Sequence, residues 1–317
     1  MSQSFLNVYN DQFVQSNINP IKREAEFKNI HFNTKYRDDY YKTSSTNFHY
    51  NFPEPCSNVV SLKLTSICIP NSFYLFSSSK GNNRFIVEDN VSGSLNTVNE
   101  IVIPDGNYTA AQLETYLNDT YFYNSSHPSA FLKKIFFSID THSQKTIFDL
   151  SGVPDVTTMN IKFVNNKNSD NIMNTAGWIM GFRYGQYTNI GGADGSQKRQ
   201  SYLMSEGIFN PNEDCTYFLC VDDFNRNVNN SNVVFFQDST MRNDVLAKLQ
   251  LVDGRFTIDI NNNYDDSENH TKSRKYHGPV DIKKIHVKLI DQYGRLVDLN
   301  NMDFTFSLEL TQLYNNI

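Results

Sequence analysis

Apolar and polar residues alternate with a period of two along most of this chain. Successive side chains of a β-strand point to opposite faces, so the alternation predicts half-buried strands. At least ten segments show this alternation or a short apolar run, namely residues 47–52, 59–69, 84–88, 100–103, 135–139, 147–150, 217–221, 233–236, 249–251, 256–260, 285–289 and 304–310. In the second segment Val60, Leu62 and Leu64 are expected to share one face of the strand.

Turn residues separate these segments. Pro70-Asn71 and Pro104-Asp105-Gly106 each end a predicted strand. Asp253-Gly254 joins two alternating runs, which is the strongest short-range signal for a β-hairpin. Tyr293-Gly294 lies between the last two alternating runs, which repeat the hairpin pattern on a larger scale.

Few segments have helical periodicity. Thr109 to Gln112 fits a capping box, and Leu113, Tyr116 and Leu117 then form one apolar stripe. A second short helix is expected over residues 170–180. With so many short strands and so few helices, the chain is predicted to be all-β, and a jelly-roll β-sandwich accommodates it best. An up-and-down barrel is the alternative.

Residues 1–45 differ from the rest of the chain, since they are polar and lack clear periodicity. They predict an extended N-terminal arm, followed by a jelly-roll domain over residues 46–317. Residues 165–171, 184–200 and 261–275 are expected to be long surface insertions in that domain. A single sandwich uses the length best, and an arrangement of two sandwiches is the alternative.

Composition narrows the class of protein. The chain has 317 residues, a net charge of −6 and 14% aromatic residues, which argues against disorder. The net negative charge gives no reason to expect binding to a nucleic-acid backbone. No secretory signal is recognised, and no apolar stretch is long enough to span a membrane. The four cysteines are too few for a disulfide scaffold and are expected to be reduced, so an intracellularly made, soluble globular protein is expected.

Sequence motifs that could indicate a catalytic or ligand-binding site are incomplete in this chain. Residues 191–195 are glycine-rich but lack the Gly-Lys-Ser/Thr of a phosphate loop. Residues 259–263 begin like a calcium loop, yet Tyr264 occupies the position that requires glycine. The seven histidines are scattered, and the basic residues within 272–288 are expected on a solvated strand face. No catalytic, cofactor-binding or metal-binding residue is predicted, so the chain is expected to be neither an enzyme nor a cofactor-binding protein.

Short motifs near both ends of the chain resemble, in their order, those of penton-type and minor capsid jelly-roll proteins of nucleocytoplasmic large DNA viruses (giant viruses). The resemblance covers both ends well and the middle poorly. The motifs occupy residues 33–39, 44–52, 59–64, 69–74, 103–109, 278–282, 289–295 and 303–310.

This resemblance implies a jelly-roll subunit of an icosahedral capsid at a fivefold vertex. Its loops and edges would make heterologous contacts that close into a ring by rotation. The implied partners are copies of the chain itself, as a pentamer, together with major and minor capsid proteins, with no nucleic acid. The implied location is the virion, assembled in the host cytoplasm. The polar arm would become ordered on binding neighbours. A minor or cement capsid role is the alternative within this class.

Two other classes of function remain open. A carbohydrate-binding jelly roll, such as a fibre or lectin domain, needs an exposed aromatic platform. Tyr184, Tyr187, Tyr202 and Trp178 are the candidate contributors, although the single tryptophan is expected in the core. An enzyme on a sandwich scaffold would instead need a pocket with converging carboxylates or a metal.

Overall fold

A computed structural model describes residues 23–91, 97–155, 157–164, 171–194, 197–198, 200–211, 216–226, 228–229, 232–236, 241–242, 244–252, 255–259 and 272–315. Within these ranges the chain is built mainly from antiparallel strands. The strands are β1 (Arg23–Asn33), β2 (Asn47–Ile69), β3 (Arg84–Val91), β4 (Thr97–Val102), β5 (Phe136–Ile139), β6 (Thr146–Asp149), β7 (Thr157–Lys162), β8 (Gln186–Ile190), β9 (Ala193–Asp194), β10 (Gln197–Lys198), β11 (Tyr202–Met204), β12 (Thr216–Asp222), β13 (Val228–Asn229), β14 (Val234–Phe235), β15 (Met241–Arg242), β16 (Val245–Val252), β17 (Arg255–Asp259), β18 (Ser273–Asp291) and β19 (Thr305–Asn315).

Helices are short. The structure contains the α-helices α1 (Ala110–Thr120) and α2 (Ala176–Ile179), and 3₁₀ turns at Thr34–Tyr36, Leu132–Lys134 and Ile172–Asn174. The predicted capping box of α1 is present, because Thr109 Oγ1 accepts a bond from the Gln112 backbone N–H and Gln112 Oε1 accepts one from the Thr109 N–H. The fold class predicted from the alternation, an all-β sandwich of antiparallel strands, is confirmed.

The chain forms two compact units. The first unit combines residues 1–73 and 215–317, and the second unit consists of residues 74–214. The sequence predicted an arm over residues 1–45 and one jelly-roll domain over residues 46–317, with two sandwiches as the alternative, and these boundaries stay a prediction. Period-two alternation shows that a side chain is buried but not which other side chains bury it. Each unit has its own apolar core cluster.

The eight-stranded sheet of the first unit has the order β1-β19-β2-β17-β16-β12-β18-β13, and β2 also pairs with β18. The strands β2, β17, β16, β12 and β18 therefore form a closed circuit of hydrogen-bonded neighbours. Apolar side chains inside this unit form its core, among them Leu62, Leu64, Leu219, Leu249, Ile285, Leu289, Phe306 and Leu308.

A β-bulge changes which residues of β2 face the core. Leu62 and Leu64 are buried as expected, but Val60 is only half-buried and Val59 is fully buried in its place. The register with β19 shifts at this point, so that Val60 has no directly opposite partner. An extra residue of this kind reverses the alternation beyond it.

The structure joins two predicted strands into one. Residues 47–52 and 59–69 belong to the single 23-residue strand β2, which continues through Pro53 and Pro55. Pro53 and Pro55 are tolerated because the pairing with β18 shifts register between Ile282, opposite Cys56, and Lys284, opposite Asn51.

The last two predicted strands do not form a hairpin. β18 and β19 each pair with β2 rather than with one another. The alternation predicted each strand correctly, but pairing between strands is a long-range property. By contrast, β16 pairs with β17 as the Asp253-Gly254 signal predicted, with Val252 opposite Arg255. Residues 253–254 themselves lie outside the described residues.

Part of the predicted arm is a strand. Residues 23–33 form β1, which pairs with β19 along its whole length. Phe32 is buried and stacks on Phe306 with ring centroids 4.7 Å apart. Phe27 is 68% exposed, so the strand has too weak an alternation to be recognised from the sequence. Residues 1–22 lie outside the described residues, and an extended arm stays a prediction there.

The second unit is organised around phenylalanine. Its sheets have the orders β4-β3-β7-β8 and β11-β6-β5, with a small β10-β9 pair. The fully buried aromatic side chains of this unit include Phe76, Phe85, Phe122, Phe137, Phe148, Phe163 and Phe182. The predicted insertion over 184–200 contains β8, which pairs with β7, and is therefore not a simple loop. The other two predicted insertions lie mostly outside the described residues.

We expect Phe137→Ala to destabilise the second unit strongly. Phe137 is fully buried, with its ring centroid 5.1 Å from that of Phe148. Truncation of such a side chain costs about 3–5 kcal/mol of unfolding free energy. Its neighbour Phe136 on the same strand is 38% exposed, so Phe136→Ala is the matched control. Urea unfolding of both variants measures the difference, and equal losses would contradict this assignment of the core face.

Candidate interaction surfaces

All three guanidinium nitrogens of Arg37, in the first unit, donate hydrogen bonds that fix one loop. Nη1 donates to Asp303 Oδ1 at 2.8 Å and to the carbonyl oxygen of Thr34 at 2.8 Å. Nη2 donates to the carbonyl oxygens of Tyr40 and Thr43, and Nε donates to Thr43 Oγ1. The side chains of Arg37 and Asp303 are only 7% and 9% exposed. This buried ion pair ties the chain after β1 to the residue two positions before β19.

The loop held by Arg37 presents tyrosine side chains to solvent. We call residues 36–41 the tyrosine loop, in which Tyr36 is 78% exposed, Tyr40 is 39% exposed and Tyr41 is 99% exposed. The Arg37 guanidinium lies 4.0 Å from the centroid of the Tyr40 ring, and the rings of Tyr40 and Tyr41 meet edge to face. Rigidly held tyrosines supply contact area at low entropic cost, so this loop has the chemistry of a protein-binding surface.

The outer edge of β1 is a second surface. β1 has eleven residues and pairs with β19 on one side. In the part of the chain that the structure describes, no strand pairs with its other edge. Phe27, at 68% exposure, lies between Glu26 and Lys28. A long exposed edge offers backbone N–H and C=O groups to another chain, although the flanking charges limit indiscriminate pairing.

A buried charged network connects β12 to β18. Arg274 Nη1 lies 3.0 Å from Asp223 Oδ2, and the Tyr276 hydroxyl donates to the same carboxylate oxygen. Arg274 Nη2 donates to the carbonyl oxygen of Asp244. Asp223, Arg274 and Tyr276 are all at least nine-tenths buried. Burial raises the pKa of Tyr276 well above its usual range, and the nearby negative charge of Asp223 adds to this rise.

Two histidines face each other across β2 and β18. The rings of His49 and His286 stack with centroids 4.0 Å apart, and His286 Nε2 lies 2.8 Å from Asn47 Oδ1. Burial lowers the pKa of His286, and the charges of His49 and Lys288 lower it further. Both histidines were expected on outer rows of strands, where His49 is exposed and His286 is half-buried.

The structure brings three of the four predicted platform aromatics together in the second unit. The rings of Tyr184 and Tyr187 meet edge to face, and the Arg183 guanidinium lies 4.0 Å from the Trp178 ring centroid. The Tyr187 hydroxyl donates to Glu206 Oε2 at 2.6 Å. Burial and this bond raise the pKa of Tyr187 far above its usual range.

These aromatic residues suit a packed surface cluster better than a sugar platform. Trp178 is half-buried rather than fully in the core as expected. The polar groups of Tyr187 and Glu206 bind one another, and of the three clustered aromatics only the Tyr184 ring is substantially exposed. Tyr202, the fourth candidate, is 40% exposed and lies on β11 opposite Asp149 of β6.

The glycine-rich and calcium-like motifs are described only in part. Gly191 and Gly192 both have a φ of +75° and form the turn between β8 and β9. Most of the calcium-like segment lies outside the described residues. Within the described ranges no three His, Cys, Asp or Glu side chains are grouped as metal ligands. The lysines of β18 are mainly solvated, as predicted, with Lys283 and Lys284 exposed, but Arg274, expected on the same face, is buried because it pairs with Asp223.

The described helices are short, and two of the cysteines are free thiols. None of the helices that the structure describes has the length and apolar character required to cross a bilayer. Cys56 and Cys68 are free thiols, and Cys215 lies outside the described residues.

Comparison with known proteins gives little sequence-level information. No family model matches the chain, and no curated protein matches it. Among solved structures, this chain is similar to the crystal structure of the selenomethionine-labelled mavirus penton protein. The TM-score is 0.41 and the sequence identity is 10%. The similarity covers 90% of this chain and 99% of the penton protein. At this level of similarity, function has to be argued from the chain's own residues.

Sequence reasoning missed both buried charge clusters. Arg37 and Asp303 are 266 residues apart, and Asp223 and Arg274 are 51 apart. Neither spacing is a motif. The sequence offered one hint of the first pair. Arg37 and Asp303 lie near opposite ends of the chain, each in a segment that resembles capsid proteins.

We expect Arg37→Ala to lower the free energy of unfolding by about 3–5 kcal/mol, because it leaves the Asp303 carboxylate buried without its partner. The matched control is Arg84→Ala, which removes an ion pair to Glu100 whose side chains are about a third exposed. That change should cost about 0–1 kcal/mol. Chemical denaturation of the two variants measures the contrast, and comparable losses would show that the Arg37 pair is not a structural clamp.

We also expect the stabilising effect of the Tyr276 hydroxyl to disappear at alkaline pH. At neutral pH, Tyr276→Phe should cost about 1–3 kcal/mol because Asp223 loses a donor. Above about pH 10 the unfolded chain's Tyr276 ionises while the folded one stays protonated, so the wild type loses about 1.4 kcal/mol per pH unit from this group. Unfolding curves of the two proteins should converge as the pH rises. A gap that stays constant would contradict the raised pKa.

Proposed function

We propose that this chain is a structural subunit of an icosahedral virus capsid, located at the fivefold vertex as a pentamer. The observation that carries the proposal is the Arg37–Asp303 pair. It joins the N-terminal and C-terminal segments that resemble capsid proteins, residues 33–39 and 303–310, within one unit. The two segments are therefore parts of a single structural feature that holds the tyrosine loop.

The surfaces of the first unit support a role in assembly. The tyrosine loop and the outer edge of β1 are two different exposed surfaces on the same unit. Contacts between two different surfaces are heterologous, and such contacts close into a ring when the rotation between subunits is suitable. Major and minor capsid proteins would contact the remaining edges. The proposed location is the virion, with assembly in the host cytoplasm.

The proposal assigns no catalytic residue, cofactor or metal to the chain. The buried charges that the structure describes are held in pairs that stabilise the fold, as in Arg37–Asp303 and Arg274–Asp223. A minor or cement capsid role uses the same surfaces without a closed ring. The two roles differ in the native mass of the isolated protein.

The test is the native mass of the purified full-length chain, measured by light scattering over a wide range of concentrations. We expect a particle of five times the chain mass of 36.6 kDa. The double variant Tyr36→Ala, Tyr41→Ala should shift the protein towards monomer without lowering its melting temperature, because both side chains are largely exposed. Tyr123→Ala is the matched control, since Tyr123 is 68% exposed in the second unit.

Other masses would point to other roles. A wild-type chain that stays monomeric at every concentration contradicts the pentamer and favours the cement role. A trimer indicates a fibre or a lattice component. A pentamer that the double tyrosine variant leaves intact would show that the ring closes through another surface.

A further inference from the structure

A polar cavity of about 480 Å³ opens in the first unit beside the buried Asp223 network. The side chains that give it its chemistry are Asp222, Phe224, Asn225, Arg226, Asp244 and Arg274. We propose that this cavity binds a neutral sugar, with the Phe224 ring as the stacking face and the surrounding charged and amide groups as hydrogen-bonding partners. The inference goes beyond the capsid role and does not depend on it.

Phe224 is held in an unusual backbone conformation. Its φ of +63° lies in the left-handed region, where a bulky aromatic residue is a rare outlier. The conformation is maintained because Asp222 Oδ1 accepts a bond from the Phe224 N–H and Asp223 Oδ1 accepts one from the Asn225 N–H. Backbone strain of this kind is concentrated at ligand clamps and other functional sites.

The ring of Phe224 is only partly covered in this position, since the residue is 45% exposed. The Nζ atom of Lys284 lies 4.3 Å from its ring centroid, and the ring of His49 lies nearly parallel to it at 6.4 Å. These contacts orient the ring, and Phe224 lines the cavity.

The second component of the proposed site, Arg274, is held rigidly. Arg274 is only 5% exposed and is fixed by Asp223 and by the carbonyl oxygen of Asp244. A guanidinium fixed in this way is pre-organised, so little further entropy is lost when a ligand binds beside it. Arg226, by contrast, is exposed at the rim.

The balance of charges identifies the class of ligand. The lining contains two carboxylates, Asp222 and Asp244, and two guanidiniums, Arg226 and Arg274. A phosphate site needs an excess of cationic donors, and a calcium site needs oxygen ligands without nearby cations. A neutral lining that offers both donors and acceptors beside an aromatic face matches a polyhydroxylated ring. The volume lies within the range of ordinary small-molecule pockets.

The experiment is saturation-transfer difference NMR on the full-length chain. The probes are D-glucose, D-galactose, D-mannose and N-acetyl-D-glucosamine, with inorganic phosphate and Ca²⁺ as charged competitors. The test variants are Phe224→Asn, because asparagine tolerates the left-handed backbone, and Arg226→Ala, which truncates an exposed side chain. Phe235→Ala is the matched control, since Phe235 is 72% exposed in the same unit and lies outside the cavity lining.

We expect at least one of the four sugars to receive saturation from the wild type and from Phe235→Ala. Its affinity should fall by about tenfold or more in Phe224→Asn and Arg226→Ala, a loss that corresponds to about 1.4 kcal/mol. The proposal is overturned if none of the sugars binds, if both test variants bind as the wild type does, or if phosphate or Ca²⁺ displaces the sugar. The native mass of each variant should equal that of the wild type, which separates this result from a failure of the capsid proposal.

Discussion

The first unit depends on one strand being shared by three partners. β2 pairs with β18 over residues 47–63, with β19 over residues 59–68, and with β17 near its end. A strand of 23 residues can do this only if it bends, and the register shifts along both long pairings supply the bends. Because β2 connects the other strands into a closed circuit, its bulges determine which side chains form the core.

This arrangement also explains why the ends of the chain meet. β1 and β19 lie side by side at one edge of the sheet, next to β2. The Arg37–Asp303 pair lies beyond the end of this strand pair, where the loop after β1 approaches the start of β19. Burying two charges is costly unless they are paired and hydrogen-bonded, and here the guanidinium has a partner at every donor nitrogen. The pair therefore fixes the position of one loop, and loss of either partner would leave a buried charge unpaired.

The two proposed activities use different parts of the same unit. The tyrosine loop presents side chains on a backbone fixed by Arg37, whereas the sugar cavity presents Phe224 on a backbone fixed by Asp222 and Asp223. In both cases a buried or half-buried charged side chain orders a short loop so that an aromatic ring remains in solvent. Apolar rings are normally buried in folding, and their exposure on rigid loops is what suggests binding.

The sequence by itself determined the local features of this protein. It predicted the all-β class, most of the strands, the capping box at Thr109 and the solvated lysine face of β18, because each depends on neighbours within a few residues. Only the tertiary structure decided the division into two units, the bulge at Val60, the strand at residues 23–33 and the pairing of β18 and β19 with β2. The buried charge clusters around Asp303 and Asp223 were likewise decided only by the tertiary structure. Their members are far apart in the chain, and period-two alternation contains no information on which distant side chains meet.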